Sequence, residues 1–381
     1  MPAQPLTVII GPAHPLRGGL ASFNERLARA FQAEGHRVII VTFSLQYPGF
    51  LFPGTTQYSS EPAPRGLDIR VRINAVNPFN WISVGRELQR LNPSLVVVRF
   101  WLPFMGPCLG TILRFLKPRK TCKVLCIADN IIPHEKRPGD TPFTRYFIRA
   151  IDGFVTMSRK VLSDLRSFDA DKPAAFVPHP LYDNFGDPVP LASARTELGL
   201  PQDDRIILFF GFIRRYKGLD ILLRAMAEPA MRASGIRLLV AGEFYEDSKP
   251  YLDLAESLQL GDRLILRTEF IPDSRVRYYL CAANLVVQPY RNATQSGVTP
   301  LAYHFGRPML VTRVGALPDM VPEGKVGLVC EPEPASLAET ILRYFTMDPA
   351  LFAKGIEAEK KQYTWQRLVQ TLTGIAHDIQ K

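Results

Sequence analysis

The chain has 381 residues, of which 46% are hydrophobic, 22% charged and 10% aromatic. That length and apolar fraction suffice for two ordinary domains with real cores, and they exclude disorder, collagen-like repeats and a small disulfide scaffold. The formal net charge of +10 is unevenly placed, with 23 Lys and Arg against 14 Asp and Glu in residues 1–190 and 23 against 22 in residues 191–381.

An excess of positive charge in one half points to an anionic partner, either a lipid headgroup surface or a phosphate-bearing substrate, or else to a solvated basic face. The charges are dispersed and no recognition motif accompanies them, so nucleic acid is not expected. The chain enters a strand-like run without a charged or apolar leader, and no apolar run is long enough to span a bilayer. A cytoplasmic protein is expected, with the inner face of the cell membrane as a further place for it. The five cysteines (Cys108, Cys122, Cys126, Cys281 and Cys330) show no paired spacing and read as buried thiols rather than metal ligands.

In chain order, strand-like runs fall at 6–11 (LTVIIG), 37–43 (RVIIVTF), 94–101 (SLVVVRFW), 123–129 (KVLCIAD), 153–158 (GFVTMS) and 174–178 (AAFVP), with amphipathic helical stretches between them. The pattern restarts at 205–211 (RIILFFG), 236–242 (IRLLVAG), 263–270 (RLILRTEF), 284–290 (NLVVQPY), 308–312 (PMLVT) and 326–331 (VGLVCE). Short β-rich runs alternating with helices predict parallel sheets covered on both faces. The fold class expected is therefore α/β, with two Rossmann-like doubly wound domains facing a cleft. Domains are expected at 1–185 and 186–362, with a hinge in the proline-bearing loop 181–193. Residues 363–381 then form an amphipathic helix, with Leu368, Leu372, Ile375 and Ile379 on one face, crossing back to the first domain.

Three stretches carry chemistry-bearing residues. The loop after the first strand, GPAHPLRGGLASF, places Gly18 and Gly19 at the start of a helix, where backbone amides and the helix dipole favour a phosphate. It is not a G-x-G-x-x-G fingerprint, and no acidic residue follows at the dinucleotide position. In FFGFIRRYKGLD (209–220), Arg214, Arg215 and Lys217 lie in a strand-to-helix loop, suited to a pyrophosphate whose charge rises as it leaves. The stretch 99–120 joins aromatic and aliphatic residues to Arg114, Lys117, Arg119, Lys120 and Lys123, which suits either an anionic membrane or a core helix with a solvated tail.

Taken together, these segments resemble the family-4 retaining glycosyltransferases of the GT-B fold. The likeness runs through RGGLASFNERLARAFQAEGHRVIIVT, the G-x5-KG segment from Gly211 to Gly218, LLVAGE ending at Glu243, the run 270–290, and LAYHFGRPMLVTRVGALPDMV with Gly306, Pro308, Gly315, Pro318 and Asp319. The resemblance implies transfer of a hexose-type sugar from a nucleoside-diphosphate sugar to an acceptor hydroxyl with retention. The acceptor would be a glycan precursor or lipid-linked. It implies no cofactor beyond that co-substrate and no metal, and no D-x-D pair follows a strand. Gly18 and Gly19 would face the diphosphate and acceptor, Lys217 with Arg214 or Arg215 would clamp the diphosphate, and Glu243 would lie on the donor side.

The chain departs from the family in three places. Phe212 stands where an Arg follows the glycine. Ala293 and Leu301 stand at the two positions of the family's E-x7-E pair, so sugar contacts would pass to Thr294, Gln295 and Ser296, with the amides up to Gly297 and Val298 facing the phosphates. Where the family has its catalytic-domain His, this chain has Asp129, with His134 shortly after. Either would orient the acceptor hydroxyl or steady charge at the sugar ring. Ser158 matches a position the family keeps and is expected to cap a helix, and His179 replaces an Asn before the hinge. The missing carboxylates leave two rival readings, a non-catalytic sugar-nucleotide-binding relative and a GT-B epimerase or hydrolase.

Overall fold

The computed structural model describes residues 4–49, 52, 54–117, 122–133, 137–293 and 296–379. It contains two compact units, Met1–Pro180 with Thr364–Lys381, and Leu181–Tyr363.

The first unit runs β1 (Leu6–Ile10), α1 (Gly19–Ala33), β2 (Arg37–Leu45), β3 (Asp68–Asn74), α2 (Pro78–Leu91), β4 (Leu95–Phe100), α3 (Gly106–Leu116), β5 (Lys123–Ala128), α4 (Asp140–Ile148), β6 (Gly153–Thr156), α5 (Arg159–Arg166) and β7 (Ala174–Phe176). Its strands form one parallel sheet in the order β3-β2-β1-β4-β5-β6-β7. The central runs VVVRF and VLCIA are buried throughout because helices cover both faces, and so they read as continuous apolar segments. β3 (DIRVRIN) was not anticipated. It is one of the sheet's two edge strands, and only Ile73 along it is buried, so charged residues are tolerated between its apolar ones.

α3 decides the reading of 99–120. Cys108, Leu109, Ile112, Leu113 and Leu116 are all core residues, and Phe100 of β4 stacks on Phe147 of α4 at 4.2 Å. The apolar half of that stretch is therefore interior, and Arg114 is spent on the Tyr146 ring, 3.7 Å away, and on the carbonyls of Gly110 and Tyr146. Arg119 and Lys120 lie outside the described residues.

The second unit runs α6 (Leu191–Leu198), β8 (Ile206–Phe210), α7 (Leu219–Ala227), α8 (Pro229–Ala233), β9 (Arg237–Ala241), α9 (Lys249–Ser257), β10 (Leu264–Arg267), α10 (Asp273–Ala282), β11 (Leu285–Gln288), α11 (Val298–His304), β12 (Met309–Thr312), α12 (Leu317–Met320), β13 (Gly327–Cys330), α13 (Pro334–Tyr344) and α14 (Pro349–Glu359). Its parallel sheet has the order β10-β9-β8-β11-β12-β13. The last helix, α15 (Trp365–Asp378), packs on α1, β5 and β6 of the first unit through a buried face of Trp365, Leu368, Val369 and Leu372. Among the described residues no helix is long and apolar enough to cross a membrane, and all five cysteines are buried free thiols.

Strand order reverses between β1 and β4 in one sheet and between β8 and β11 in the other. In open parallel sheets such switch points leave a crevice beyond the carboxyl ends of the strands.

Candidate functional site

At the β1/β4 switch point, the loop that carries the glycines is tied down at several points. The Ala13 amide donates to Thr42 Oγ1 at 2.9 Å, the His14 amide to Glu25 Oε1 at 2.7 Å, and Asn24 Nδ2 to the Pro12 carbonyl at 2.8 Å. Gly18 precedes α1 and Gly19 opens it, exposed at the positive end of the helix. The first turn of α1 contains no acid.

Beside this loop lies a pair that the sequence did not reveal. Arg99, the penultimate residue of β4, donates through Nε and Nη2 to the two oxygens of Asp129, both at 2.5 Å, and the two side chains are 3% and 6% exposed. The Arg99 guanidinium lies 3.8 Å from the centre of the Phe23 ring on α1. Phe23 in turn meets His179 edge-on at 5.1 Å. Burial, with Arg99 nearby, pushes the His179 imidazole down to about 3, against the pull of the Pro180 carbonyl. The ring is therefore neutral near pH 7 and donates from Nδ1 to that carbonyl at 2.7 Å.

Asp129 thus occupies the edge where a catalytic group was expected, as half of a buried fork. His134 lies outside the described residues. Ser158 does precede α5, but its hydroxyl makes no cap bond and is buried without a partner among the described residues, contrary to the expected capping role. The signal for Arg99 was present, a charge inside the apolar run LVVVRF. Its partner, thirty residues away, becomes adjacent only through the β4/β5 register, in which Arg99 faces Ile127.

At the β8/β11 switch point, Lys217 is 9% exposed, and no acceptor lies within hydrogen-bond distance of its ammonium among the described residues. Burial, and then the neighbouring charge of Arg214, push its ammonium down to about 8. Two glycines make this placement possible. Gly211 (φ 97°) leaves Lys217 Nζ only 3.1 Å from where a β-carbon would stand, and Gly218 (φ 68°) brings the chain so near β11 that a β-carbon there would lie 2.0 Å from the Pro289 carbonyl.

Arg214 is half-buried against the Tyr245 ring, whereas Arg215 is exposed, so Arg214 is the cation coupled to Lys217. Phe212, where the Arg was missing, stacks on Tyr245 at 4.0 Å. Glu243 is buried, and its carbonyl accepts from the Ile213 amide, tying the loops after β8 and β9 together.

In the loop after β11, Thr294 and Gln295 lie outside the described residues. Ser296 is buried and donates to Gln288 Oε1 at 2.6 Å while accepting from the Val298 amide at 3.2 Å. Its hydroxyl therefore shapes the entry to α11, with Gly297 as the residue before the helix and Val298 as its first. Ala293 and Leu301 are buried apolar residues, so no carboxylate occupies those two places.

Comparison with known proteins places both units. A family model described as Glycosyltransferase Family 4 matches residues 17–181, and one described as Glycosyl transferases group 1 matches residues 204–347. D-inositol 3-phosphate glycosyltransferase of Thermobifida fusca is 26% identical over 360 residues, 86% of this chain and 81% of that protein. The enzymes of the same name from Acidothermus cellulolyticus and Streptomyces avermitilis are 32% and 33% identical, over 49% and 57% of this chain. The match spans about half the length of each of those two, 44% and 50%. Among solved structures, sucrose-phosphate synthase of Thermosynechococcus elongatus superposes with a TM-score of 0.73 at 19% identity, covering 99% of both chains. HepE of Anabaena in complex with UDP-glucose gives 0.74 at 13% identity, covering 98% of this chain and 99% of that one.

Proposed function

This chain belongs to glycosyltransferase family 4 in its GT-B form, and from that membership we propose that it moves a hexose-type sugar from a nucleoside-diphosphate sugar to an acceptor hydroxyl with retention of configuration. The observation that carries the proposal is Lys217, a buried ammonium with no acceptor among the described residues, held beside Gly211 and 5.7 Å from the centre of the Tyr290 ring at the switch point of the second sheet. Burying an unpaired cation is costly, and a diphosphate is the partner that would offset it. Arg214 adds charge from the same loop.

In the proposed reaction the bond from the anomeric carbon to the β-phosphate oxygen breaks and a bond to the acceptor oxygen forms on the same face. The acceptor proton passes to the departing phosphate. Lys217 and Arg214 stabilise charge that grows on that phosphate, so catalysis is positioning plus electrostatics and needs neither an enzymic nucleophile nor a metal. The excess charge of the first unit favours an acceptor carrying an anionic group, as on a lipid-linked or phosphorylated glycan precursor. Contact with an anionic membrane would rest on that charge, since α3 buries its apolar residues in the core.

The test is a thermal-shift screen against UDP-, GDP-, ADP- and dTDP-sugars, with UDP-glucose first because HepE binds it. A ligand at 100 times its dissociation constant stabilises the folded state by about 2.7 kcal/mol. A shift with one donor, lost in Lys217→Ala, is expected. A cooperative melt that no donor moves would overturn the reading in favour of a relative without transferase activity.

A further inference from the structure

The amino end of α5 stands at the same edge of the first sheet as Asp129. Ala128 of β5 pairs with Thr156 of β6, so Asp129 lies one residue beyond the register and Ser158 two. Ser158 is extended (φ −142°, ψ 138°), the conformation from which a serine hydroxyl ordinarily accepts from an amide in the first helical turn. It makes no such bond. The residue is 1% exposed, and its Oγ has no partner among the described residues. The amides of Arg159, Lys160 and Val161 have no acceptor among the described residues, and the first engaged amide is that of Leu162, which donates to the Ser158 carbonyl at 3.1 Å.

The charges at this helix end also run against the usual preference. The first turn of α5 holds no acid but two exposed cations, Arg159 and Lys160, at the positive end of the helix dipole. Arg159 lies over the Phe176 ring at 4.8 Å, and Lys160 bridges to Asp164 one turn on. Left to itself this arrangement is repulsive, and a bound anion relieves it. The carboxylate at the neighbouring strand end does not oppose an anion, because Arg99 neutralises Asp129.

We infer that the amino end of α5 is an oxyanion seat that takes a phosphate group through the Arg159–Val161 amides and the Ser158 hydroxyl, with Lys160 at its rim. Assigning that phosphate to the acceptor rests on the transferase reading above, whereas the seat itself does not. The acceptor class is then one that carries a phosphate group.

The experiment titrates the thermal midpoint of the full chain with inorganic phosphate at constant ionic strength, and separately with UDP. Phosphate can also meet Lys217, so the comparison is made in a Lys217→Ala background, with Ser158→Ala, Lys160→Gln and their combination added. Ser158→Ala removes a hydroxyl that bonds to none of the described residues, so its ligand-free midpoint should stay near that of the background. Its phosphate affinity should fall about tenfold, the scale of one hydrogen bond to a charged group. Lys160→Gln should weaken phosphate in the same direction and serves if the first variant fails to fold. A background that shows no phosphate response, or one unchanged in the combined variant, overturns the seat. A UDP response absent from the unmodified chain, beside a phosphate response lost in Ser158→Ala, sinks the donor reading and leaves the seat standing.

Discussion

In its proposed role, Lys217 ties function to stability. Its ammonium is held near 8 against an ordinary 10.5, chiefly by burial, so at pH 7 the folded chain carries a charge it holds less readily than the unfolded chain does. The sign follows from proton counts: between about 8 and 10.5 the unfolded state binds more protons, so this residue's contribution to stability rises with pH across that window. A shift of that size corresponds to a cost on the order of 3 kcal/mol at neutral pH. Lys217→Met should therefore raise the thermal midpoint of the second unit by several degrees while lowering turnover more than about tenfold. A variant both less stable and fully active would refute the clamp. In the unmodified enzyme, kcat/KM should fall as pH rises through about 8, because the free site loses its charge there. A profile flat from pH 7 to 9 would count against it.

The Arg99–Asp129 fork makes the complementary case. Removing one member of a buried pair strands the other charge, at about 3–5 kcal/mol, whereas replacing both with apolar residues of similar volume is often neutral or stabilising. Arg99→Met alone should lower the urea midpoint of the first unit sharply, and Arg99→Met with Asp129→Leu should recover most of the loss. No recovery in the double variant would show that the fork's partners, Phe23 foremost, depend on the guanidinium itself. The place of Lys217 was legible in the sequence because Gly211 and Gly218 bracket it at fixed spacing. Arg99 was not, because nothing local says which distant residue a β-register will place beside it.

At the scale of elements, twelve strands were legible and β3 was not, and the reason is physical. The central runs are buried on both faces and read as unbroken apolar segments, and even the half-buried edge runs AAF and LILR keep adjacent apolar residues, whereas DIRVRIN places a charge at every second position up to Arg72, turns Val71 to solvent and buries Ile73. Position along β3 should therefore decide the cost of substitution. Ile73→Ala, at a fully buried site, should destabilise by about 2–4 kcal/mol. Val71→Ala, at a site 43% exposed, should change stability by less than about 0.5 kcal/mol. Equal urea midpoint shifts for the two would show that the edge strand packs otherwise than described. The same logic explains α3: an apolar helix that ends in a cation, Arg114, suits a membrane surface as well as a core, and only the sheet beneath shows that its apolar face is interior.

For the whole molecule, the chain leaves the first unit at Pro180 and returns to it at Thr364, so the first fold is closed by its own last helix. α15 lays Leu368, Val369 and Leu372 on α1, β5 and β6, and Trp365 against Phe23 at 4.7 Å, the ring that also carries the Arg99 guanidinium. A stretch far from the glycine loop in sequence thus buttresses the residues beside it. Removing residues 365–381 should uncover the apolar face of α1 and loosen Phe23, while leaving every strand and helix of the second unit in place. Hydrogen exchange should then rise in α1, β5 and β6 and stay unchanged in β8, β9 and β11. Because the proposed diphosphate clamp lies wholly in the second unit, the truncated chain should still bind the donor nucleotide with little loss of affinity, yet transfer sugar poorly. Protection lost evenly across both sheets would mean that the two units unfold as one, and the division of labour between them would have to be abandoned.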